Sequence, residues 1–140
     1  MGILCDLFVA TPEMASKYEA MLESEEPRDS FVREEWKGVT QLEFEILWAM
    51  LDGRDWDPEL HLLEKVEAGE STWLFRFPAA FAKELGALSR DRIKTLAAAW
   101  AAIEELQWPA EEAEEVIVSA VRLARQAAAA DRGLYLWGSL

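Results

Sequence analysis

Four carboxylates and the chain's only imidazole fall within ten residues, Asp52-Gly53-Arg54-Asp55-Trp56-Asp57-Pro58-Glu59-Leu60-His61. Oxygen-rich loops of this kind suit a hard cation such as calcium or magnesium, so a metal site here would use Asp52, Asp55, Asp57, Glu59 and His61. The spacing departs from that of an EF-hand, because the glycine comes second and no glutamate stands twelfth. Asp57 is also well placed as a helix N-cap, with Pro58 and Glu59 in the first turn. A capped, solvated turn is therefore preferred to a metal site, and no cofactor is expected.

Other chemistry has less to work with. Cys5 is the single cysteine and lies in the apolar run Leu4-Cys5-Asp6-Leu7-Phe8-Val9, where burial keeps a thiol protonated and inert. Neither an intramolecular disulfide nor a cysteine-based zinc cluster is open to it. Ser30, Ser71, Ser119 and Ser139 lack a Gly-x-Ser-x-Gly setting, and the seven glycines are too scattered to form a phosphate loop. Adjacent acids such as Glu34/Glu35 and Glu111/Glu112 diverge on a helix and read as solvated faces or dipole complements. The balance leans away from an enzyme.

Charge and tryptophan content point elsewhere. The net charge is −13, with 18 Asp/Glu against 6 Lys/Arg in residues 1–70 and 9 against 8 in residues 71–140. Such a surface repels nucleic-acid phosphates and steers basic proteins or cations toward it. Of the seven tryptophans, Trp36 and Trp56 lie in charged surroundings, Arg-Glu-Glu-Trp-Lys and Arg-Asp-Trp-Asp. A tryptophan rimmed by charge suits an interface anchor, which makes Trp36, Trp56, Glu34, Glu35, Asp55 and Asp57 the candidate contact residues. The competing reading is that each ring folds back as a lid over the core.

These residues must be positioned by elements that the pattern outlines. At 140 residues and 51% hydrophobic content, residues 1–140 suit one globular domain. Strand composition marks 3–9, 72–77 and 134–137, whereas Phe31 to Trp36 is ambiguous between a short edge strand and an extended loop. Thr11-Pro12-Glu13 opens a helix carrying Met14, Tyr18, Met21 and Leu22, followed by a polar loop through Pro27. Thr40-Gln41-Leu42-Glu43 is a capping box that opens a helix to about Leu51, with Gly53 beyond its end. Asp57-Pro58-Glu59 predicts a short helix bearing Leu60, Leu63 and Val66 and ended by Gly69. Further helices are predicted from about Ala79 to Leu85, from Ser89 toward Trp108, and from about Ala110 to Ala130, with Gly133 as its C-cap. Five to six helices and about three short strands give a mainly helical α+β domain with a small sheet.

No apolar run reaches the roughly 18 residues of a membrane span, and the first ten residues lack the basic start of a signal peptide. The expectation is a soluble, cytoplasmic interaction module whose acidic first half docks a basic partner, as inhibitor or immunity proteins dock basic toxins. Two alternatives stand beside it: a metal- or small-ligand-dependent enzyme using residues 52–61, and a structural subunit of a homo-oligomer. No nucleic-acid or membrane partner is expected.

Overall fold

A computed structural model of the chain describes residues 3–18, 20, 32–104 and 106–140. Five strands form one sheet: β1 (Leu4–Ala10), β2 (Val32–Lys37), β3 (Glu64–Ala68), β4 (Thr72–Arg76) and β5 (Gly133–Ser139). Their order is β2-β1-β5-β4-β3, and every neighbouring pair is antiparallel. The described helices are α1 (Pro12–Ser16), α2 (Gln41–Leu51), α3 (Ala79–Gly86), α4 (Arg90–Ala101) and α5 (Ala110–Ala129).

The mainly helical domain with about three strands is thereby corrected to a helical layer on a five-stranded antiparallel sheet. Two strands account for the difference. β2 alternates charge and aromatic without an apolar face of its own, and gains its place by pairing with β1, Cys5 opposite Trp36 and Leu7 opposite Glu34. β3 replaces the helix expected from Asp57 onward. Leu60, Leu63 and Val66 have helical spacing, but only a turn forms at 58–60, and the following backbone pairs with β4 instead. Leu63 is buried, while Leu60, Leu62 and Val66 remain exposed, so no single helical face is in fact covered.

Local signals otherwise act as their chemistry dictates. Thr11 caps α1 by accepting from the Met14 amide at 3.2 Å. The Thr40–Glu43 capping box closes at the start of α2, with the Thr40 amide donating to Glu43 Oε1 at 3.2 Å. Ser89 caps α4 by accepting from the Arg92 amide at 3.2 Å. Met21, Leu22 and the loop through Pro27 lie outside the described residues. At the end of α5 the left-handed position is taken by Asp131 (φ 55°) and not by Gly133, which instead begins β5.

The sheet has two differently covered faces. Cys5, Leu7, Val9, Leu134, Leu136 and Phe77 pack into the main core with Val116, Ile117, Ala120, Leu123 and Ala124 of α5 and with Trp100 of α4. α5 lies against β1, β5 and β2 and is flanked by α3 and α4, so it is the central beam of the helical layer. Trp100 is fully buried, and its indole N–H donates to the Glu43 carbonyl at 2.8 Å, tying α4 to α2. On the opposite face, Phe8 stacks between Tyr18 (4.0 Å) and Tyr135 (5.5 Å), and the Tyr18 hydroxyl donates to Asp6 Oδ2 at 2.5 Å.

Candidate functional site

The Asp52–His61 segment folds into a structural corner. Gly53 takes the left-handed conformation (φ 68°) that ends α2. Asp57 Oδ1 accepts from the Glu59 amide at 2.8 Å, holding the turn, while the Asp57 amide donates to His61 Nδ1 at 3.1 Å. Because Nδ1 accepts, the ring proton sits on Nε2, which donates to Asp52 Oδ2 at 3.0 Å. Both nitrogens are therefore engaged. The imidazole is fully buried and meets Trp48 edge-on at 5.5 Å, with Trp48 stacked on Phe81 at 5.0 Å. In this arrangement His61 offers no lone pair to a cation or a substrate proton. Among the described residues no group of three His, Cys, Asp or Glu is placed to hold a metal ion.

Neighbouring carboxylates respond to the same corner. Burial, with Asp52 next in effect, raises the Glu84 carboxyl above its ordinary range, and the Trp48 indole opposes that rise. Glu45 is buried and accepts from the Leu63 amide at 3.0 Å, which anchors the loop to α2. Burial raises its carboxyl, the Leu63 amide opposes this, and Glu43 adds to it. Cys5 is buried, and burial followed by the charge of Asp6 pushes its thiol up to about 12. A thiol in that state is a poor nucleophile.

The candidate contact residues separate. Strand alternation sends Glu34 and Glu35 to opposite faces of β2. Glu35 pairs with Arg33, whose guanidinium also lies 3.8 Å from Asp6. Glu34 pairs with Arg122 of α5. Trp36, on the same side of β2 as Glu34, packs against the main core and helps line a concavity of about 470 Å³. Trp56 and Asp55 are exposed in the loop after α2 and are not part of that lining.

The rest of the concavity comes from α5: Glu111, Glu114, Glu115, Val118 and Ser119. The sequence had pointed to the acidic first half, yet these carboxylates belong to the nearly neutral second half. Their i, i+3, i+4 spacing gathers Glu111, Glu114 and Glu115 on one helix face, with Val118 next along it. That spacing is the signal by which they could have been found. Glu111 faces Glu114 and Glu115 as like charges at i+3 and i+4, a cost of about 0.2–0.5 kcal/mol per pair that a bound cation would relieve. Trp36 Nε1 is buried without a hydrogen-bond partner among the described residues, so the ring presents carbon atoms to the concavity. Val118, about half exposed, extends that apolar surface.

No protein-family model, curated protein or solved structure matches the chain.

Proposed function

We propose that this protein is a cytoplasmic interaction module that docks a basic protein partner where Trp36 meets Glu111, Glu114 and Glu115. The observation that carries the reading is the joining of a half-buried indole to three carboxylates of α5 in one concavity. A lysine or arginine side chain matches both parts. Its methylene stem covers the Trp36 ring and Val118, and its charge meets the glutamates. The net charge of −13 steers such a partner and repels nucleic-acid phosphates. A single buried thiol fits a reducing compartment. Among the described residues no helix is long and apolar enough to cross a membrane.

The test is the affinity for a fluorescent lysine- and arginine-rich peptide at two ionic strengths. Raising salt from about 0.05 M to about 0.3 M should weaken binding at least tenfold, because exposed charges are screened over the Debye length. Trp36→Ala should cost about 2 kcal/mol, roughly 30-fold, as the loss of an interface anchor, while Trp56→Ala leaves the affinity within about twofold. Equal loss from both variants, or binding indifferent to salt and to Trp36, would remove the concavity from the account.

A further inference from the structure

The other end of α5 borders a second hollow, of about 460 Å³, closed by α3 and by the adjoining ends of β4 and β5. Phe77 and Leu134 form its buried apolar floor, and alanines of α3 and α5 supply methyl walls. Its rim carries Lys83, Arg125 and Arg132, and no Asp or Glu among the described residues lines it. In a chain with 27 acids and 14 basic residues, that is a local reversal of charge.

One of these cations is already engaged. Arg125 donates from Nε to the Gly86 carbonyl at 2.8 Å and from Nη2 to the Leu88 carbonyl at 3.0 Å, capping the end of α3. Arg76 adjoins the hollow through β4, but its guanidinium lies on the other face of the sheet, 6.0 Å from the centre of the Tyr135 ring. Gly133 leaves room for it, since a Cβ there would stand 3.3 Å from Arg76 Nε. Arg76, Lys83 and Arg132 form no ion pair with any described residue, although Glu64 is the cross-strand neighbour of Arg76. Helix C-termini favour cations, which accounts for Lys83 and Arg132 near the ends of α3 and α5. It does not account for the buried apolar floor beside them, nor for the lack of any Asp or Glu among the described residues that line the hollow.

We infer that this hollow binds an amphipathic organic anion. Its hydrocarbon body rests on Phe77 and Leu134, and its carboxylate, sulfonate or phosphate head is held by Lys83 and Arg132. The volume falls within the range of about 300–1,000 Å³ usual for small-molecule sites, which are likewise mostly apolar with a few directing polar groups. The inference is independent of the basic partner proposed for the other end of the helix.

The test uses anilinonaphthalene sulfonate fluorescence on protein that unfolds cooperatively, because loosely packed states also take up this dye. The native protein should bind the dye saturably, and decanoate should displace it where decanol does not. The double variant Lys83→Glu with Arg132→Glu should weaken binding at least about tenfold. Ala128→Trp, which places a ring against the exposed wall of the hollow, should abolish it. Absence of saturable binding, displacement by decanol as readily as by decanoate, or unchanged affinity in either variant would overturn the inference. A double variant that lowers the melting temperature and spares affinity would reduce Lys83 and Arg132 to helix-end complements, which also overturns it.

Discussion

At its N-terminal end α5 carries Glu111, Glu112, Glu114 and Glu115, whereas Arg122 and Arg125 stand toward its C-terminal end, followed by Arg132. The macrodipole favours that order, and on an isolated helix it would amount to a few tenths of a kcal/mol per residue. In this fold the two ends meet different neighbours. The acidic end faces Trp36 on the edge strand β2, and the basic end faces Phe77, Leu134 and the end of α3. A charge pattern that serves the helix thus also creates two hollows of opposite preference, about the length of a 20-residue helix apart at most, or roughly 30 Å. Each hollow joins the charge to an apolar surface that another element supplies.

The contrast can be broken outright by removing the beam that both hollows share. Leu123 is fully buried in the middle of the helical layer. Leu123→Ala should cost about 2–5 kcal/mol in urea denaturation and weaken peptide and dye binding together in proportion to unfolding. Loss of one activity alone would show that the two ends do not depend on a common support. The sheet beneath is expected to be nearly as sensitive. A Cβ on Gly138 would lie 2.2 Å from Trp73 Nε1, so the indole already occupies the space a side chain needs. Gly138→Ala should destabilise by about 1–3 kcal/mol through overpacking, with the ratio of the two affinities unchanged.

The third prediction sets a buried carboxylate against the open ones of α5. The folded protein holds the Glu45 proton more tightly than the unfolded chain does, because burial raises that carboxyl above 4.5. Its favourable contribution is therefore complete below pH 4.5 and is lost as pH rises through the folded value. Between about pH 4 and about pH 7 the wild-type melting temperature should fall relative to that of Glu45→Gln, whose amide can still accept from Leu63. Parallel curves would contradict the burial argument. The smallest effect is expected from Glu115→Gln. Glu115 stands beyond the first turn, where the macrodipole has faded, so relief of its repulsion with Glu111 should raise stability by about 0.2–0.5 kcal/mol, while the affinity for the basic peptide falls. Stability and binding moving in the same direction would remove the tension on which the docking surface rests.

What could be read from the sequence divides by range. Capping chemistry is local, so Thr11, Thr40 with Glu43, and Ser89 marked their helix starts correctly. The spacing of Ile93, Leu96, Ala97, Trp100 and Ile103 predicts one buried stripe; the first four are inside, whereas α4 ends at Ala101 and Ile103 beyond it is only partly buried. β2 was legible only as one of two readings, a short edge strand or an extended loop, and β3 not at all, because their stability comes from partners distant in sequence, β1 in one case and β4 in the other. Leu60, Leu63 and Val66 imitate a helical stripe, and only the pairing of Glu64 with Arg76 and Lys65 with Phe75 decides otherwise. The same limit applied to the sites. Trp36 stood out by its charged surroundings, but its acidic neighbours in space lie 75 or more positions later in the chain. Asp52 and His61 are brought together as the spacing suggested, yet the Asp57 amide occupies the nitrogen that catalysis or metal binding would need.

The most direct test of the opposed ends is a pair of titrations on one ¹⁵N-labelled sample, first with the basic peptide and then with decanoate. The account predicts that the peptide moves amide signals in β2 and the first half of α5. Decanoate should move those of Phe77, Leu134 and the last turns of α5, with neither ligand displacing the other. Overlapping shifts from the two ligands, or shifts spread evenly over the surface, would contradict it.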